Sequence, residues 1–444
     1  YNPKLHLHFN DAREFLLTAK KQYDLIVSEP SNPYRAGIAN LYTREFYQSV
    51  SSRLNQSGLF LQWVQGYEVD DRTVMIVLQT IRSVFPNIQI WRTKTGDMVL
   101  VCGKSAAAFP EDVASLRRNM KENTIREGLN RGWGVDDAEG VIAHYVCGNT
   151  TIDRLLSEGS YPLNQDDRNL LEYAFAKTVG KTVRFSIQDL HLRAVQTQDD
   201  SPVPADQLSQ ETIAQRRLAM YLFLGTVVPN EKHRSETQQL RADAFNLYLA
   251  KRYADAVARF QRMDIDFTSA IELTAYAHAL AEAGESVPDR VMQTLNENNP
   301  TQAAAVQAIA LFQQRQYDRA ADQILTTFQL LQANPWGSSQ LFDAVLQKSV
   351  ALSDIDSSKA LPIYKQLHQP FALYRLEDKR LLVRYVVSEQ LEKIQIVEAL
   401  KSLEPNVPWK GWLLESRAKI YAAAHHPLAA QAKSDLQRFK SWNR

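Results

Sequence analysis

The segment 23-YDLIVSEPSNPYRAGIANLYTREFYQ-48 joins an apolar run to an acid, two prolines and a tyrosine-rich stretch. Residues 23–29 form a continuous apolar run bounded by turn residues, which is typical of a buried strand in a parallel sheet. Tyr42, Phe46, Val50 and Leu54 fall four residues apart and therefore predict one face of a helix. The segment predicts a strand that ends on an acid, a turn, and then a helix.

The neighbouring segments continue this alternation of strand and helix patterns. Residues 5–9, LHLHF, alternate like a strand, and residues 59–64, LFLQWV, form a second apolar run. Apolar spacing over 74–85 predicts a helix, and the runs at 88–93 and 97–103 are separated by a short KTG turn, which predicts a hairpin. The order predicts an α/β layered sheet with an antiparallel edge.

The C-terminal part, residues 236–444, has helical periodicity almost throughout. Segments 244–263 and 308–328 share a frame of helix, short turn and Ala-rich helix, and Tyr253 and Tyr317 mark equivalent turns 64 residues apart. That spacing is close to two repeats of about 34 residues, so this part resembles tetratricopeptide repeats. The overall prediction is α/β followed by all-α.

Composition excludes several classes of function. The 51 Lys and Arg residues nearly balance the 50 Asp and Glu residues, so no global charge favours nucleic acid. Cys102 and Cys147 are the only cysteines, and the nine histidines show no metal-ligand spacing. We therefore expect a reducing compartment, no metal site and no nucleic-acid partner.

Asp11 lies two residues after the predicted strand at 5–9 and has two interpretations. A carboxylate at the end of a strand could accept a hydrogen bond from an adenine amino group, because cofactors bind at that edge of open α/β sheets. The alternative is a helix N-cap, since Asp11 and Glu14 have the spacing of a capping box.

Glu29 ends the predicted strand and also has two interpretations. It could act as a general base or hold a cationic amine, or it could be an exposed acid at the end of a strand. Tyr34, Tyr42, Tyr47 and Tyr67 could line an amine pocket through cation–π contacts. Tyr42 also belongs to the helical stripe, so we expect it in the core.

Several motifs follow one another in a characteristic order and spacing. They are NDAREFL (10–16), the opening segment 23–48, LNQSGLFLQWV (54–64), IRSVFPNIQIWR (81–92), GDMVLVCGK (96–104) and PLNQDDRNLLEYAFAK (162–177). Together they resemble the second half of the spermidine/spermine synthase family, and more closely its long bacterial members fused to other domains. The resemblance covers residues 1–180 and implies a partial class I methyltransferase-like, Rossmann-type sheet. It also implies transfer of an aminopropyl group from decarboxylated S-adenosylmethionine to a small-molecule amine.

The resemblance also implies roles for single residues. Asp11 and Ala12 stand where the family contacts the adenine, and Glu29 stands at the first acid of the catalytic loop, the proposed base. Asn32 stands at the second acid, which holds the diamine, so the charge at that position is absent here. Gln62 lies near the substrate side, and with Tyr67 completes the predicted substrate-binding set.

We expect three segments: a spermidine-synthase-like domain at 1–180, a helical linker at 181–235 and the repeats at 236–444. The repeats predict a protein partner, and we expect a homo-oligomer on the cytoplasmic side of the membrane. Two alternatives remain open. One is an S-adenosylmethionine-dependent methyltransferase with another acceptor, and the other is a non-catalytic scaffold.

In the family, two strands precede the one that matches residues 5–9, and the first of them ends in a glycine-rich turn beneath the cofactor. No matching glycine turn occurs in this sequence. We therefore expect a truncated piece of a longer protein, whose preceding part holds the glycine loop and a membrane tether. On that expectation, residues 1–444 alone bind S-adenosyl ligands weakly.

Overall fold

The chain divides into two compact units, Tyr1–Thr226 and Val227–Arg444. The first contains a sheet with helices and the second is helical, as the predicted order of α/β followed by all-α requires. The computed structural model describes residues 2–30, 37–67, 69–109, 112–174, 185–231, 234–265, 269–372 and 374–442.

The first unit is built on a five-stranded mixed sheet of order β1-β2-β4-β3-β5. β1 runs parallel to β2, and the β2–β4, β4–β3 and β3–β5 pairs are antiparallel. The strand in the opening segment and the predicted hairpin are both confirmed, but β1 is not the buried strand that its apolar run predicted, since none of its residues is buried. The strands are β1 (Tyr23–Ser28), β2 (Leu54–Gln65), β3 (Asn87–Lys94), β4 (Asp97–Gly103) and β5 (Tyr145–Cys147).

Nine α-helices surround or extend this sheet within the described part of the first unit. They are α1 (Ala12–Thr18), α2 (Arg44–Arg53), α3 (Asp71–Arg82), α4 (Val113–Asn119), α5 (Asn123–Trp133), α6 (Ala138–Ala143), α7 (Asn149–Ser157), α8 (Ile187–Gln196) and α9 (Gln210–Leu224).

The helix predicted from the four-residue spacing is α2, but it is shorter than the pattern. Phe46 and Val50 lie on its buried side, whereas Tyr42 belongs to the preceding 3-10 turn and Leu54 already begins β2. The helix begins only at Arg44, because the Thr43 hydroxyl accepts a hydrogen bond from the Phe46 backbone N–H and so caps the N-terminus of α2.

Phe60 on β2 is the centre of the first unit's core. Its ring centroid lies 5.6 Å from Phe85, 6.0 Å from Tyr47 and 6.3 Å from Phe46, and all four side chains are buried. Aromatic pairs in this range each add about 0.5–1.5 kcal/mol beyond the burial of their area. These contacts hold α2 against β2 and so fix the carboxyl end of the strand. Tyr42 is also buried, which confirms its predicted core role.

The predicted strand at 5–9 does not form, and that prediction is wrong. Leu7 is 71% and Phe9 97% exposed, and no described segment pairs with their backbone. An extended segment without a neighbouring strand leaves its backbone groups to water. β1 likewise has only one partner among the described strands, and Leu25 and Val27 on it are 54% and 59% exposed.

The segment at 181–235 contains helices α8 and α9 in its described part. Ile187, Leu190 and Ala194 on α8 are buried in the same core as Phe60, so α8 packs as part of the first unit. The division of the chain at 180 and 235 stays a prediction.

The second unit contains twelve described α-helices. They are α10 (Glu236–Leu249), α11 (Tyr253–Phe260), α12 (Ala270–Glu282), α13 (Asp289–Asn298), α14 (Pro300–Gln313), α15 (Tyr317–Ala333), α16 (Ser339–Ile355), α17 (Ala360–Gln366), α18 (Glu377–Ser388), α19 (Lys393–Lys401), α20 (Gly411–Ala423) and α21 (Ala429–Trp442).

One turn geometry recurs in four helix pairs of the second unit. Lys251, Gly284, Arg315 and His425 each follow the first helix of a pair with a positive φ of 49–76°. The next backbone N–H in each case donates to a carbonyl five residues earlier, as in a Schellman motif. These bonds are 2.9 Å long and join Arg252 to Leu247, Glu285 to Leu280, Gln316 to Leu311 and His426 to Tyr421. The first three turns are 33 and 31 residues apart, so the sequence period is also a structural one.

Candidate functional site

The carboxyl ends of β1 and β2 and the start of β4 meet at one edge of the sheet. Glu29 follows β1, Gln65 is the last residue of β2, and Asp97 is the first residue of β4. Ligands of open α/β sheets bind at the carboxyl ends of the strands, so this edge is the candidate site.

Glu29 is exposed at the end of β1, where the sequence predicted it. Ser28 lies beside Gln62 in the β1–β2 register, so Glu29 comes at the level of Trp63. The predicted partner Asn32, and Tyr34, lie outside the described residues. The edge therefore presents a solvent-accessible carboxylate at the level of Trp63 on β2.

Asp97 is a second carboxylate at this edge, and it is half-buried. Burial raises the pKa of the Asp97 carboxyl, the charge of Lys94 lowers it, and the charge of Glu29 raises it again. Oδ1 of Asp97 is buried without a hydrogen-bond partner. The two carboxylates are thus close enough to interact, and one of them has an unused acceptor.

Gln65 lies directly opposite Asp97 in the antiparallel β2–β4 register. Its side chain is 1% exposed, and its amide Nε2 donates to the backbone carbonyl of Tyr67 at 2.7 Å. That bond leaves Oε1 as the free end of the amide, and Oε1 is also buried without a partner.

Tyr67 stands at the rim of the site and is 40% exposed. It packs on the β3–β4 turn, where a Cβ on Gly96 would lie only 3.0 Å from Tyr67 Cδ1 and 3.1 Å from Tyr67 Cβ. The Gly66 N–H donates to the Gly96 carbonyl at 2.6 Å and ties the two turns together. Gly96 is therefore needed for Tyr67 to keep this position.

Gln62 lies on the other face of the sheet. Side chains alternate between faces along a strand, so Gln62 shares the side of Phe60 and Val64, whereas Gln65 does not. Gln62 is fully buried, and its Nε2 donates to the Trp63 carbonyl at 3.0 Å. The Tyr42 hydroxyl donates to the same carbonyl at 3.1 Å. The structure therefore does not bring Gln62 together with Gln65 and Asp97.

Asp11 is the N-cap of α1, and Ala12 is the first residue of that helix. Oδ1 of Asp11 accepts hydrogen bonds from the backbone N–H groups of Arg13 at 2.9 Å and Glu14 at 3.1 Å. Arg13 also forms a two-bond ion pair with Asp166, one bond of which is 2.8 Å long. The capping geometry is present, and a contact of Asp11 or Ala12 with adenine stays a prediction.

Asn164 fastens the segment 162–171, called here the closing segment, onto the helices beside the site. Its Nδ2 donates to the Tyr42 carbonyl at 3.1 Å, and its Oδ1 accepts from the Leu170 N–H at 2.7 Å. Its own N–H donates to the Thr80 hydroxyl at 2.9 Å, and its carbonyl accepts from the Arg44 N–H at 2.9 Å. The buried Asn164 thereby joins the start of α2 to α3.

Asp97 and Gln65 were absent from the residues predicted for this site. The sequence did contain a signal for Asp97. It is the first residue of the second strand of the predicted hairpin, and that position lies at the sheet edge where β3 ends. Among the described residues, no group of three or more His, Cys, Asp or Glu side chains could hold a metal ion. In the same part of the chain, no helix is long and apolar enough to cross a membrane.

Comparison with known proteins finds matches in the part of the chain that carries Glu29 and Gln65. The family model described as the spermine/spermidine synthase domain matches residues 1–95. A polyamine aminopropyltransferase of Nitrosomonas europaea is 32% identical over 176 residues, 38% of this chain and 51% of that protein. A polyamine aminopropyltransferase of Korarchaeum cryptofilum is 29% identical over 84 residues, 19% of this chain and 26% of that protein.

A third relative, polyamine aminopropyltransferase 2 of Pseudomonas aeruginosa, is 33% identical over 95 residues, 20% of this chain and 27% of that protein. The chain spans about half, or less, of the length of these curated relatives. The family match includes β1, which Glu29 follows, and β2, which ends on Gln65.

Proposed function

Since residues 1–95 carry a spermine/spermidine synthase-like domain, we propose that this protein transfers an aminopropyl group from decarboxylated S-adenosylmethionine to an amine. The observation that supports this most is the position of Glu29, an exposed carboxylate at the carboxyl end of a matched strand. The sheet follows a methyltransferase-like, Rossmann-type plan in this proposal.

The reaction needs little from the protein beyond proximity and a proton acceptor. The amine nitrogen attacks the propyl carbon next to the sulfonium, the C–S bond breaks, and sulfur leaves as a neutral thioether. A primary ammonium has an unperturbed pKa of about 10, so a base must take its proton before attack. In the proposal Glu29 accepts that proton, and Tyr67 contributes an aromatic wall for the cationic amine.

The co-substrate side of the site rests on α1. We assign the adenine contact to Asp11 and Ala12 and a diamine contact to Asn32, each by correspondence with the family motif. Gln62 is a supporting residue in this scheme, because it is buried and its amide donates to the carbonyl of Trp63, the residue at the level of Glu29. In this scheme Gln62 does not touch the substrate and instead helps to position the end of β2.

The second unit is proposed to be a tetratricopeptide-like array that binds a protein partner. The recurring Schellman turns support this, since helix pairs repeated at about 31–33 residues stack into an extended surface. We further propose that the protein forms a homo-oligomer and acts on the cytoplasmic side of the membrane.

A ligand titration distinguishes the proposed transfer from its two alternatives. The protein at its natural length is titrated with decarboxylated and with ordinary S-adenosylmethionine, and its melting temperature is recorded. An upward shift with the decarboxylated compound, together with aminopropylated amine detected by mass spectrometry, is the expected result. A shift with ordinary S-adenosylmethionine alone indicates a methyltransferase, and no shift with either compound indicates a scaffold.

A further inference from the structure

A small cavity lies between the sheet and helices α8 and α9 of the first unit. Its volume is about 10 Å³, which is room for one water molecule or one small ion. None of the residues assigned to the candidate site lines it. In the described part of the chain, the lining contains two arginines and two histidines but no Asp or Glu. Its charged and aromatic members are Arg92, His144, Tyr145, His191, Arg217 and Tyr221.

Arg92 brings a buried, unpaired charge to this cavity. The residue, on β3, is only 6% exposed, and its Nε is shielded from water without a hydrogen-bond partner. Among the residues that the structure describes, no acid forms an ion pair with Arg92 and no group accepts a hydrogen bond from its side chain. Because a guanidinium stays protonated in proteins, the positive charge remains at this place.

An aromatic contact compensates part of this charge. The guanidinium carbon of Arg92 lies 5.4 Å from the ring centre of Tyr221 on α9. Such a cation–π contact offsets only part of the cost of burying an ion, which stays high unless a partner charge and hydrogen bonds are present. A negatively charged acceptor is therefore expected beside Arg92.

The nearby acids do not supply that negative charge. Arg217 on α9 also lines the cavity, and its Nη1 lies 3.9 Å from Oδ2 of Asp200, near the limit of an ion pair. Asp199 is already engaged, because its Oδ2 accepts hydrogen bonds from the backbone N–H groups of Gly148 at 3.0 Å and Thr151 at 2.8 Å. The cavity wall therefore carries a surplus of positive charge.

The pKa of His191 shows that both guanidinium charges reach the same part of the cavity. Burial and the charges of Arg217 and Arg92 lower the pKa of His191 to about 3, while its contact with the Val146 carbonyl raises it. The two charges therefore act on one place, where a single anion could meet both.

We infer that this cavity binds one halide-sized anion, chloride under physiological conditions, held by Arg92 and facing Arg217. The volume excludes phosphate and sulfate, because it admits a single particle of about the size of water. A water molecule could accept a hydrogen bond from Arg92 Nε, but it would leave the charge uncompensated. The anion joins β3 to α9 and takes no part in the proposed transfer.

The test compares chloride with gluconate, an anion too large for the cavity, at constant ionic strength. Hydrogen exchange of the full chain is followed by mass spectrometry in peptides from β3 and α9. In wild type, raising chloride from about 1 to about 200 mM should slow this exchange at least about threefold, because a ligand of the native state stabilises it. Arg92→Met should abolish the chloride dependence. Arg72→Met, the control, removes an exposed cation from α3 and should keep it.

A crystallographic measurement identifies the ion directly. Wild-type crystals soaked in bromide are expected to show an anomalous peak in the cavity beside the Arg92 side chain. A peak without anomalous signal, as water gives, would overturn the inference. An equal chloride dependence in wild type and Arg92→Met would do the same, since it is a general salt effect. The bromide experiment needs only the wild-type chain, so it decides the question even where Arg92→Met does not fold.

Discussion

Replacing Asn164 by alanine removes the side chain that joins the closing segment to the turn before α2. Two short bonds disappear, from Nδ2 to the Tyr42 carbonyl at 3.1 Å and from the Leu170 N–H to Oδ1 at 2.7 Å. Because Asn164 and Tyr42 are buried, the groups left behind have little access to water. Each unpaired buried group costs about 1–3 kcal/mol, so we expect the first unit to lose about 2–5 kcal/mol of unfolding free energy.

The measurement must report on the first unit alone, because a chain with two compact units need not unfold in one step. Hydrogen exchange with mass spectrometry over increasing urea gives the opening free energy of peptides from residues 44–53. Asn119→Ala, a change at an exposed asparagine at the end of α4, is the control and should leave that free energy unchanged. A loss below about 0.5 kcal/mol in Asn164→Ala would refute this account of the segment.

Three further outcomes follow from single residues. Arg315→Gly should stabilise the second unit by up to about 1 kcal/mol in urea unfolding, because Arg315 is exposed at φ 59° in the left-handed region. Burial lowers the pKa of His144 to about 4, so the unfolding free energy of the first unit should fall as the pH drops from about 6.5 towards 4. The fall is at most about 1.4 kcal/mol per pH unit, and His144→Gln should reduce it. The hydrogen bond from Arg13 lowers the pKa of Asp166, so this ion pair should stabilise the first unit above about pH 4, and the stabilisation should be lost at lower pH. In Arg13→Met, the urea midpoint of the first unit should therefore depend less on pH in this range.

Local patterns predicted the parts of the fold that neighbouring residues determine. Strands at 23–29 and 59–64 and the hairpin of β3 and β4 were each predicted from periodicity and turn residues, and the structure contains a strand or hairpin at each place. β2 begins earlier than predicted, at Leu54, because the chain enters the strand directly after α2. The predicted strand at 5–9 does not form, because alternating apolar residues show only that a segment could pair with a neighbouring strand. A strand also needs a neighbour, and no described segment supplies one.

The candidate site was harder to predict because it depends on register. Gln62 and Gln65 are three residues apart, and alternation along β2 sends them to opposite faces, a difference that composition does not reveal. Asp97 enters the site only because β4 returns antiparallel to β2 and places it opposite Gln65. Glu29 required no such knowledge, because it directly follows a strand that the sequence itself predicts.

The most direct test of the central claim is the rate of aminopropyl transfer when the carboxylate of Glu29 is replaced by an amide. Glu29→Gln is compared with wild type and with Glu127→Gln, a change at an exposed glutamate on α5, all in the protein at its natural length. The account predicts a fall in kcat of at least a hundredfold for Glu29→Gln, with co-substrate affinity little changed and Glu127→Gln equal to wild type. A Glu29→Gln protein that transfers aminopropyl groups at the wild-type rate would contradict it.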